Sequence, residues 1–272
     1  PFLSDKNFSF IKGDIRNKAV IADAAKGMDA VIHLAAMVGY PACHREPQLS
    51  KSINISGVLN LTAAVGGKIP ILFASTRSVY GKMTDNICRE TSRLNPLSEY
   101  AEHKAEGEKI IAEKGEFVIY RFATAFGVSS RMRLDLLVNN FVYRAINDGA
   151  LVVYEKQFMR TLIHVRDMAR SFLFALENYE KMKNEVLNVG SDDMNFTKEE
   201  ICLVIKKKVD YHLHFAEIGY DVDQRDYKVS YDKLSALGFK TAISIEEGID
   251  ELITASGLID MPNPYMSSLW QL

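Results

Sequence analysis

The sequence has 272 residues, of which 47% are hydrophobic and 25% charged, and its formal net charge is −2. These proportions are typical of a soluble globular protein, and the length suits one large α/β domain or two closely joined ones. The near-neutral charge argues against nucleic acid or an anionic membrane as the main partner. No apolar run approaches the roughly 20 residues that a membrane-spanning helix needs.

Short apolar runs alternate with longer amphipathic segments in the first half of the chain. The runs predict strands that are buried on both faces, at residues 8–11, 30–34, 69–74 and 117–122. The segments between them predict helices, at residues 18–26, 54–65 and 98–114. Repeated β–α–β units of this kind indicate an α/β fold with a doubly wound parallel sheet.

The ends of several helices can also be predicted. Ser98 is placed to cap the helix that follows Pro96, and Gly115 is placed to end it. In the second half, two hydroxyl residues stand three positions before a glutamate, which is the spacing of a capping box. These pairs predict two further helices, and they are Thr197 with Glu200 and Ser244 with Glu247.

The three cysteines, Cys43, Cys88 and Cys202, are widely spaced and form no Cys-x-x-Cys pair. We therefore expect reduced thiols in a cytoplasmic protein. The histidines show no ligand spacing either, so no metal site is predicted.

A tyrosine and a lysine, Tyr100 and Lys104, stand four positions apart on a predicted helix and so share one face. A free tyrosine has a pKa of about 10, and a nearby ammonium group lowers that pKa because it stabilises the phenolate. The pair can then exchange a proton with an alcohol. Thr76 follows an apolar run and should emerge at the carboxyl edge of a parallel strand, where ligands of open α/β sheets bind. Its hydroxyl can hydrogen-bond a substrate oxygen there.

The Tyr-x-x-x-Lys pattern is a weak signal by itself. A tyrosine packed on the core and a lysine in solvent would give the same spacing. The catalytic interpretation is favoured because a strand that ends in a hydroxyl residue precedes the helix that carries the pair.

This set resembles the active site of the extended short-chain dehydrogenases, and further matches cover almost the whole chain. The matching runs are Gly13-Asp-Ile-Arg16, Val31-Ile-His-Leu-Ala-Ala36, Asn54-Ile-Ser-Gly57, Tyr120-Arg-Phe-Ala-Thr124 and Arg160-Thr-Leu-Ile-His-Val-Arg-Asp167. The last run is similar to one in sugar-nucleotide epimerases and dehydratases. The resemblance implies a Rossmann-type nucleotide-binding domain over residues 1–126. It also implies a smaller substrate-binding domain mainly within residues 127–272, some of whose elements pack back on the sheet.

The resemblance also implies roles for individual residues. The expected catalytic residues are Thr76, Tyr100 and Lys104. NAD is expected to contact Asp14, Ile15, Leu34, Ala35, Ala36, Asn54, Tyr100, Lys104 and Phe122. A nucleotide-sugar substrate is expected to contact Thr124, Arg131, Arg160 and Arg225, because arginine forks match phosphate oxygens. Two simpler interpretations stay open: Asn54 could cap its helix, and Arg160 and Arg225 could form surface ion pairs.

The sequence departs from the family in several places. The glycine-rich turn that holds the pyrophosphate is absent, so the resemblance implies that the family's first βαβ unit is missing from this sequence. The family's dehydratases carry an Asp-Glu pair after the threonine, and its C3/C5 epimerases carry a cysteine in the same loop. Arg77 and Ser78 occupy these positions here, and Thr124 replaces the usual asparagine. The run Arg131-Met-Arg-Leu-Asp-Leu-Leu-Val-Asn139 looks most like a branch that includes a heptose-nucleotide 4-dehydrogenase.

We therefore expect an NAD-dependent oxidoreductase or epimerase that acts on a secondary alcohol of a nucleotide-linked sugar, at C4. Whether the hydride is returned to the sugar stays open at this point, as does the choice between NAD and NADP. The alternative is a non-catalytic dinucleotide-binding scaffold or regulator of the same fold.

A homodimer is expected, built on the helices at residues 54–65 and 98–114. The resemblance implies a four-helix contact of this kind. The apolar residues Ile110 and Ile111 extend beyond the predicted catalytic face, so we expect a partner subunit to bury them. Sedimentation of the full-length protein at micromolar concentration should therefore return the mass of two chains, and a monomer would contradict the expectation.

Overall fold

The computed structural model of the protein describes residues 4–82, 87–217 and 226–258. Its strands are β1 Val31–His33, β2 Ile71–Thr76, β3 Ile87–Cys88, β4 Phe117–Phe122, β5 Thr124–Phe126, β6 Ala150–Tyr154, β7 Met159–His164, β8 Glu185–Val189, β9 Asn195–Thr197, β10 His212–Ala216 and β11 Lys228–Val229. Its α-helices are α1 Lys18–Ala25, α2 Tyr40–Arg45, α3 Pro47–Lys51, α4 Gly57–Val65, α5 Glu99–Lys114, α6 Leu137–Asn147, α7 Val165–Glu177, α8 Tyr179–Met182, α9 Lys198–Lys206, α10 Asp232–Ala236 and α11 Ile245–Leu258. A π-helical turn, Ser52–Ser56, joins α3 to α4, and 3-10 turns lie at Arg77–Tyr80 and Asp192–Met194.

The centre of the fold is a four-stranded parallel sheet with the strand order β1-β2-β4-β8. Every residue of β4 is buried, as a strand covered on both faces requires. Helices α4 and α5 pack on one face, and α7 packs on the other. The predicted doubly wound α/β sheet is therefore confirmed, as are three of its four predicted strands and all three of its predicted helices.

The prediction of a strand at residues 8–11 is wrong. These residues form no strand, and Phe10 and Ile11 are 74% and 57% exposed. A short apolar run becomes a strand only where a neighbouring strand completes its hydrogen bonds, and no described strand pairs with this one. The chain is held instead a few residues later, where the Asn60 side chain on α4 donates hydrogen bonds to the carbonyls of Ile15 and Arg16.

The apolar residues at the end of α5 are covered within the chain. Ile110 is 7% exposed and Ile111 is 1% exposed, and both pack with α4 and the sheet in one hydrophobic cluster. The expectation that a partner subunit must cover them is therefore wrong, because helical periodicity alone does not show which neighbour lies against an apolar face. The homodimer stays a prediction without this support.

A second hydrophobic cluster lies in the second half of the chain. Helices α6, α9 and α11 pack there with the paired strands β6 and β10. Both predicted capping boxes are formed: Thr197 caps α9 with Glu200, and the Ser244 hydroxyl accepts from the Glu247 amide while the Glu247 carboxylate accepts from the Ser244 amide. Strand β8 comes from this half but pairs with β4 in the main sheet.

The three cysteines are buried and form no disulfide. In the described part of the chain, no helix has both the length and the apolar character needed to cross a membrane.

Gly81 permits the turn that follows β2. Its φ is +63°, and a Cβ at this position would lie 1.5 Å from the backbone carbonyl oxygen of Asn95. We expect Gly81→Ala to lower the free energy of unfolding by about 1–3 kcal/mol, because backbone strain and a clash with a fixed carbonyl act together. Gly149→Ala is the matched control, since Gly149 has the same φ but no atom within 4 Å of the added Cβ. Denaturant unfolding of the two variants checks this, and equal losses would contradict it.

Candidate active site

A cleft of about 970 Å³ opens at the carboxyl edge of the main sheet. The last residues of β2 and β4, Thr76 and Phe122, are partners in the parallel register and both line it. Ligands of open α/β sheets bind at this edge. The predicted residues that the structure brings together around the cleft are Leu34, Thr76, Tyr100, Lys104, Phe122, Thr124, Arg131 and Arg160.

Thr76 lies where β2 turns into the 3-10 helix. Its hydroxyl accepts a hydrogen bond from the Ser78 amide at 3.2 Å and donates one to the Ser78 hydroxyl at 3.1 Å. The residue is half-buried, so one side of the hydroxyl faces the cleft. Thr76 can therefore hydrogen-bond a substrate oxygen by exchanging its bond to the Ser78 hydroxyl.

Lys104 is buried below the cleft, and only 4% of it is exposed. Its Nζ atom donates a hydrogen bond to the Ala74 carbonyl at 2.7 Å and lies 4.7 Å from the centre of the Phe73 ring. Burial lowers the pKa of the ammonium group to about 8, although the nearby Glu108 carboxylate raises it. At neutral pH the group is still mainly charged.

Tyr100 also lines the cleft. It is the second residue of α5, one turn before Lys104, and it is half-buried with its ring at the cleft. Ser98 caps the helix, as predicted, by accepting from the Ala101 amide. The start of α5 is also held by α2, whose His44 ring lies 2.9 Å from the Glu99 carboxylate. These contacts fix the position of Tyr100 relative to the strand ends.

His33, the last residue of β1, does not act at the cleft. Its ring is buried and stacks on Phe73 with 5.6 Å between the ring centres. Burial, together with the charge of Lys104, lowers its pKa to about 3. His33 is thus a neutral core residue at neutral pH.

Asn54 lies beneath the cleft rather than in its wall. It is buried in the π-helical turn, and its side chain accepts from the Met37 amide and donates to the Met37 carbonyl, both at 2.9 Å. These bonds fix the segment that follows β1, which contains Leu34, Ala35 and Ala36. Leu34 is 60% exposed at the cleft. Asn54 therefore holds the segment that contains Leu34 in place through the backbone of Met37, without lining the cleft itself.

Asp14 and Ile15 lie outside the cleft. Asp14 is exposed and pairs with Arg16, and the hydrogen bonds from Arg16 lower the pKa of its carboxyl group to about 2. Ile15 is half-buried and is held through its carbonyl by Asn60 at 3.1 Å. Their contact with NAD stays a prediction.

Arginines also line the cleft. Arg160 is 2% exposed and lines it, with its Nη1 atom donating to the Met159 carbonyl. Arg131 is exposed at the rim, and Thr124 accepts a hydrogen bond from Arg77 at 3.2 Å. Arg225 lies outside the described residues. Guanidinium groups are therefore part of the lining of the cleft, and such groups can bind phosphate oxygens.

A buried polar cluster behind the cleft was not predicted. Glu108 on α5 is 5% exposed and forms an ion pair of 2.7 Å with Arg121 of β4, and it also accepts a hydrogen bond from Ser75 of β2. The one signal in the sequence was spacing, since Glu108 follows Lys104 by four residues on the same helix. A glutamate at that spacing is usually an exposed partner in a surface ion pair.

The residues present at the cleft fit the reacting half of NAD. A buried ammonium group and a hydroxyl face an opening whose other walls, Leu34 and Phe122, are apolar. Apolar walls with a few polar groups that set orientation are the usual form of a cofactor site. The site thus has the groups that would hold a nicotinamide ribose.

Asn54→Ala tests whether the bonds to Met37 order this site. We expect about a tenfold rise in the Kd for NAD, because two buried backbone groups of Met37 lose their partner at a cost of about 1–3 kcal/mol. Asn147→Ala is the matched control, since Asn147 is exposed and makes one bond to the Tyr143 carbonyl. Titration of NAD into both variants checks the result, and equal affinities would refute it.

Comparison with known proteins agrees with this geometry. The model of the NAD dependent epimerase/dehydratase family matches residues 2–190. The low-salt glycan biosynthesis protein Agl12 of Haloferax volcanii is 28% identical, over 93% of this chain and 83% of that protein. A putative UDP-glucose 4-epimerase of Methanocaldococcus jannaschii is 26% identical, over 90% of this chain and 82% of that protein.

Solved structures show the same fold. The UDP-glucose 4-epimerase of Thermotoga maritima, in complex with UDP-glucose, superposes with a TM-score of 0.82 at 23% identity, over 94% of this chain and 87% of that one. The UDP-glucuronic acid 4-epimerase of Bacillus cereus, with UDP-glucuronic acid and NAD, gives 0.82 and 23%, over 94% and 83%. The predicted Rossmann-type fold is confirmed. Because the family match spans more than half of the 272 residues, the chain belongs to the NAD dependent epimerase/dehydratase family of sugar-nucleotide enzymes, with NAD as cofactor, as predicted.

Proposed function

We propose that the protein is a 4-epimerase of a nucleotide-linked sugar. The observation that carries the proposal is the convergence of Thr76, Tyr100 and Lys104 at one edge of the sheet, in a cleft where none of the described residues places a carboxylate next to the threonine. NAD, when bound, supplies the acceptor and donor of hydride. The chain's own residues move the proton and hold the sugar.

As its phenolate, Tyr100 takes the proton of the C4 hydroxyl when C4 is oxidised to the ketone, and it returns the proton to the C4 oxygen when the C4 carbonyl is reduced again. Lys104 makes this possible, because its charge stabilises the phenolate at neutral pH. Thr76 donates a hydrogen bond to the C4 oxygen and holds that oxygen beside Tyr100 while charge develops on it.

Elimination of water, the reaction of a dehydratase, needs an additional acid or base beside the sugar. Among the described residues that line the cleft, Asp135 is the one carboxylate, and it pairs with Arg133. The residue after Thr76 is Arg77, whose side chain is buried and bonded to Thr124. This supports oxidation and reduction at one carbon without loss of water.

The substrate proposal rests on charge and on the relatives. Arg131 and Arg160 line the cleft, and guanidinium groups bind phosphate oxygens in pairs. Relatives of this chain are named UDP-glucuronate 4-epimerase and putative UDP-glucose 4-epimerase. A nucleoside diphosphate sugar, with its diphosphate at these arginines and its C4 at Tyr100, fits this arrangement.

Product analysis tests the proposal. The full-length protein is incubated with NAD and either UDP-glucose or UDP-glucuronic acid, deuterated at C4. We expect the C4 epimer, with the deuterium kept at C4 and no build-up of NADH. Build-up of NADH would show a net dehydrogenase, and a deoxy 4-keto sugar would show a dehydratase. No turnover of any nucleotide sugar would support the non-catalytic scaffold.

Three variants at the site should differ in severity. Tyr100→Phe removes the proton carrier while keeping the ring, so turnover should fall about 10²–10⁴-fold with NAD binding kept. Thr76→Val should cost less, because it removes one hydrogen bond, and Lys104→Met should reduce both turnover and NAD affinity. Tyr154→Phe is the control, since Tyr154 is exposed on β6 away from the cleft. A Tyr100→Phe enzyme with near wild-type turnover would end the proposal.

A further inference from the structure

The carboxylate of Glu108 joins the catalytic helix to two strands of the sheet. It lies on α5 and is buried, with two bonds to the Arg121 guanidinium at 2.7 and 3.1 Å and a hydrogen bond from the Ser75 hydroxyl. Ser75 and Arg121 are partners in the register of β2 and β4. Glu108 therefore binds both strands at the same level, one residue before Thr76.

We propose that Glu108 is a positioning residue: it holds Lys104, and through it Tyr100, in register with Thr76, and it places a carboxylate one helical turn from the Lys104 ammonium. The inference rests on the proposed proton transfer by Tyr100. Glu108 does not line the cleft, so it touches neither sugar nor cofactor.

The geometric part follows from two contacts one helical turn apart. Lys104 bonds to the carbonyl of Ala74, and Glu108 bonds to the side chain of Ser75, the next residue of the same strand. Two such contacts fix both the rotation of α5 and its height along β2. Since Thr76 is the next residue of that strand, the same contacts set its distance from Tyr100.

The electrostatic part follows from the charges around Lys104. The titratable groups that face it or are coupled to it from the surrounding elements are Tyr100 and Glu108 on α5, His33 on β1, Cys43 on α2 and, through Glu108, Arg121 on β4. Of these, Glu108 is the carboxylate that raises the pKa of Lys104 against the effect of burial. His33 is neutral at neutral pH, and burial raises the pKa of Cys43, so neither supplies a negative charge there.

Removing the Glu108 charge has a further consequence. Arg121 is 5% exposed, and its remaining partners, the Tyr80 hydroxyl and the Glu90 carbonyl, are neutral. Its positive charge would then act on Lys104 without compensation. Lys104 would lose its proton at lower pH, and Tyr100 would lose the cation that stabilises its phenolate.

Glu108→Gln is the direct test, because it keeps the shape and removes the charge. The first measurement is independent of turnover: NMR titration of ¹³C-labelled lysine side chains, with the Lys104 signal assigned by its loss in Lys104→Met. We expect the Lys104 midpoint to fall by about one pH unit or more from the wild-type value of about 8. An unchanged midpoint in folded Glu108→Gln would overturn the proposal even if the protein proved not to be an epimerase.

The second measurement is the pH profile of turnover. Lys104 acts as the cation, so activity falls as pH rises through its pKa, and in Glu108→Gln this alkaline limb should move to lower pH by the same amount. A limb that stays at the wild-type position in Glu108→Gln would overturn the electrostatic role.

Two more variants separate charge from geometry. Ser75→Ala keeps the charges of Glu108 and Arg121 but removes the hydrogen bond from Ser75 to Glu108, so kcat should fall several-fold while the alkaline limb of the pH profile stays in place. If Glu108→Gln does not fold, Ser75→Ala still tests the positioning role. Glu106→Gln, on the exposed side of the same helix, should change neither quantity. A Ser75→Ala enzyme with wild-type kcat would overturn the positioning role.

Discussion

The parallel pairing of β2 with β4 is the constraint on which the site depends. Their register makes Thr76 and Phe122 neighbours at the carboxyl edge, where both strands end together. The crossover between the two strands is α5, which must return across one face of the sheet to connect them. Tyr100 at the start of that helix therefore reaches the edge that Thr76 occupies, and both hydroxyl-bearing side chains line one cleft.

Such a helix needs more than apolar packing to hold its register. Hydrophobic contacts between α5 and the sheet are non-directional, whereas hydrogen bonds from buried polar groups fix distance and angle. The bonds of Lys104 to the Ala74 carbonyl and of Glu108 to Ser75 supply that direction. Burying these charges costs free energy, and the cost is offset only because each charge is satisfied by partners in place. A polar cluster whose burial costs desolvation free energy therefore lies directly behind the cleft.

The lining of the cleft combines apolar and cationic groups. It includes the side chains of Leu34 and Phe122, the Lys104 ammonium, the Thr76 hydroxyl and the guanidinium groups of Arg131 and Arg160. The position next to Thr76 holds Arg77, whose side chain turns into the protein. The family of this chain includes both epimerases and dehydratases.

The sequence by itself determined the features that depend on local spacing. The strands 69–74 and 117–122, the helix capped by Ser98, and the shared face of Tyr100 and Lys104 all follow from apolar periodicity and from capping residues, which act within a few positions along the chain. The family and its cofactor were predicted from the resemblance of sequence motifs such as Tyr100-x-x-x-Lys104 to those of a known family.

The tertiary structure decided whatever depends on which elements become neighbours. Residues 8–11 have the apolar character of a strand, but no described strand pairs with them. Ile110 and Ile111 are covered by α4 and the sheet within the same chain. Asn54 binds the backbone of Met37, and Glu108 pairs with Arg121, thirteen residues away in sequence and on another element. Spacing shows which residues share a face, but only the packing of that face shows which groups it meets, and the buried charges behind the site are set by that packing.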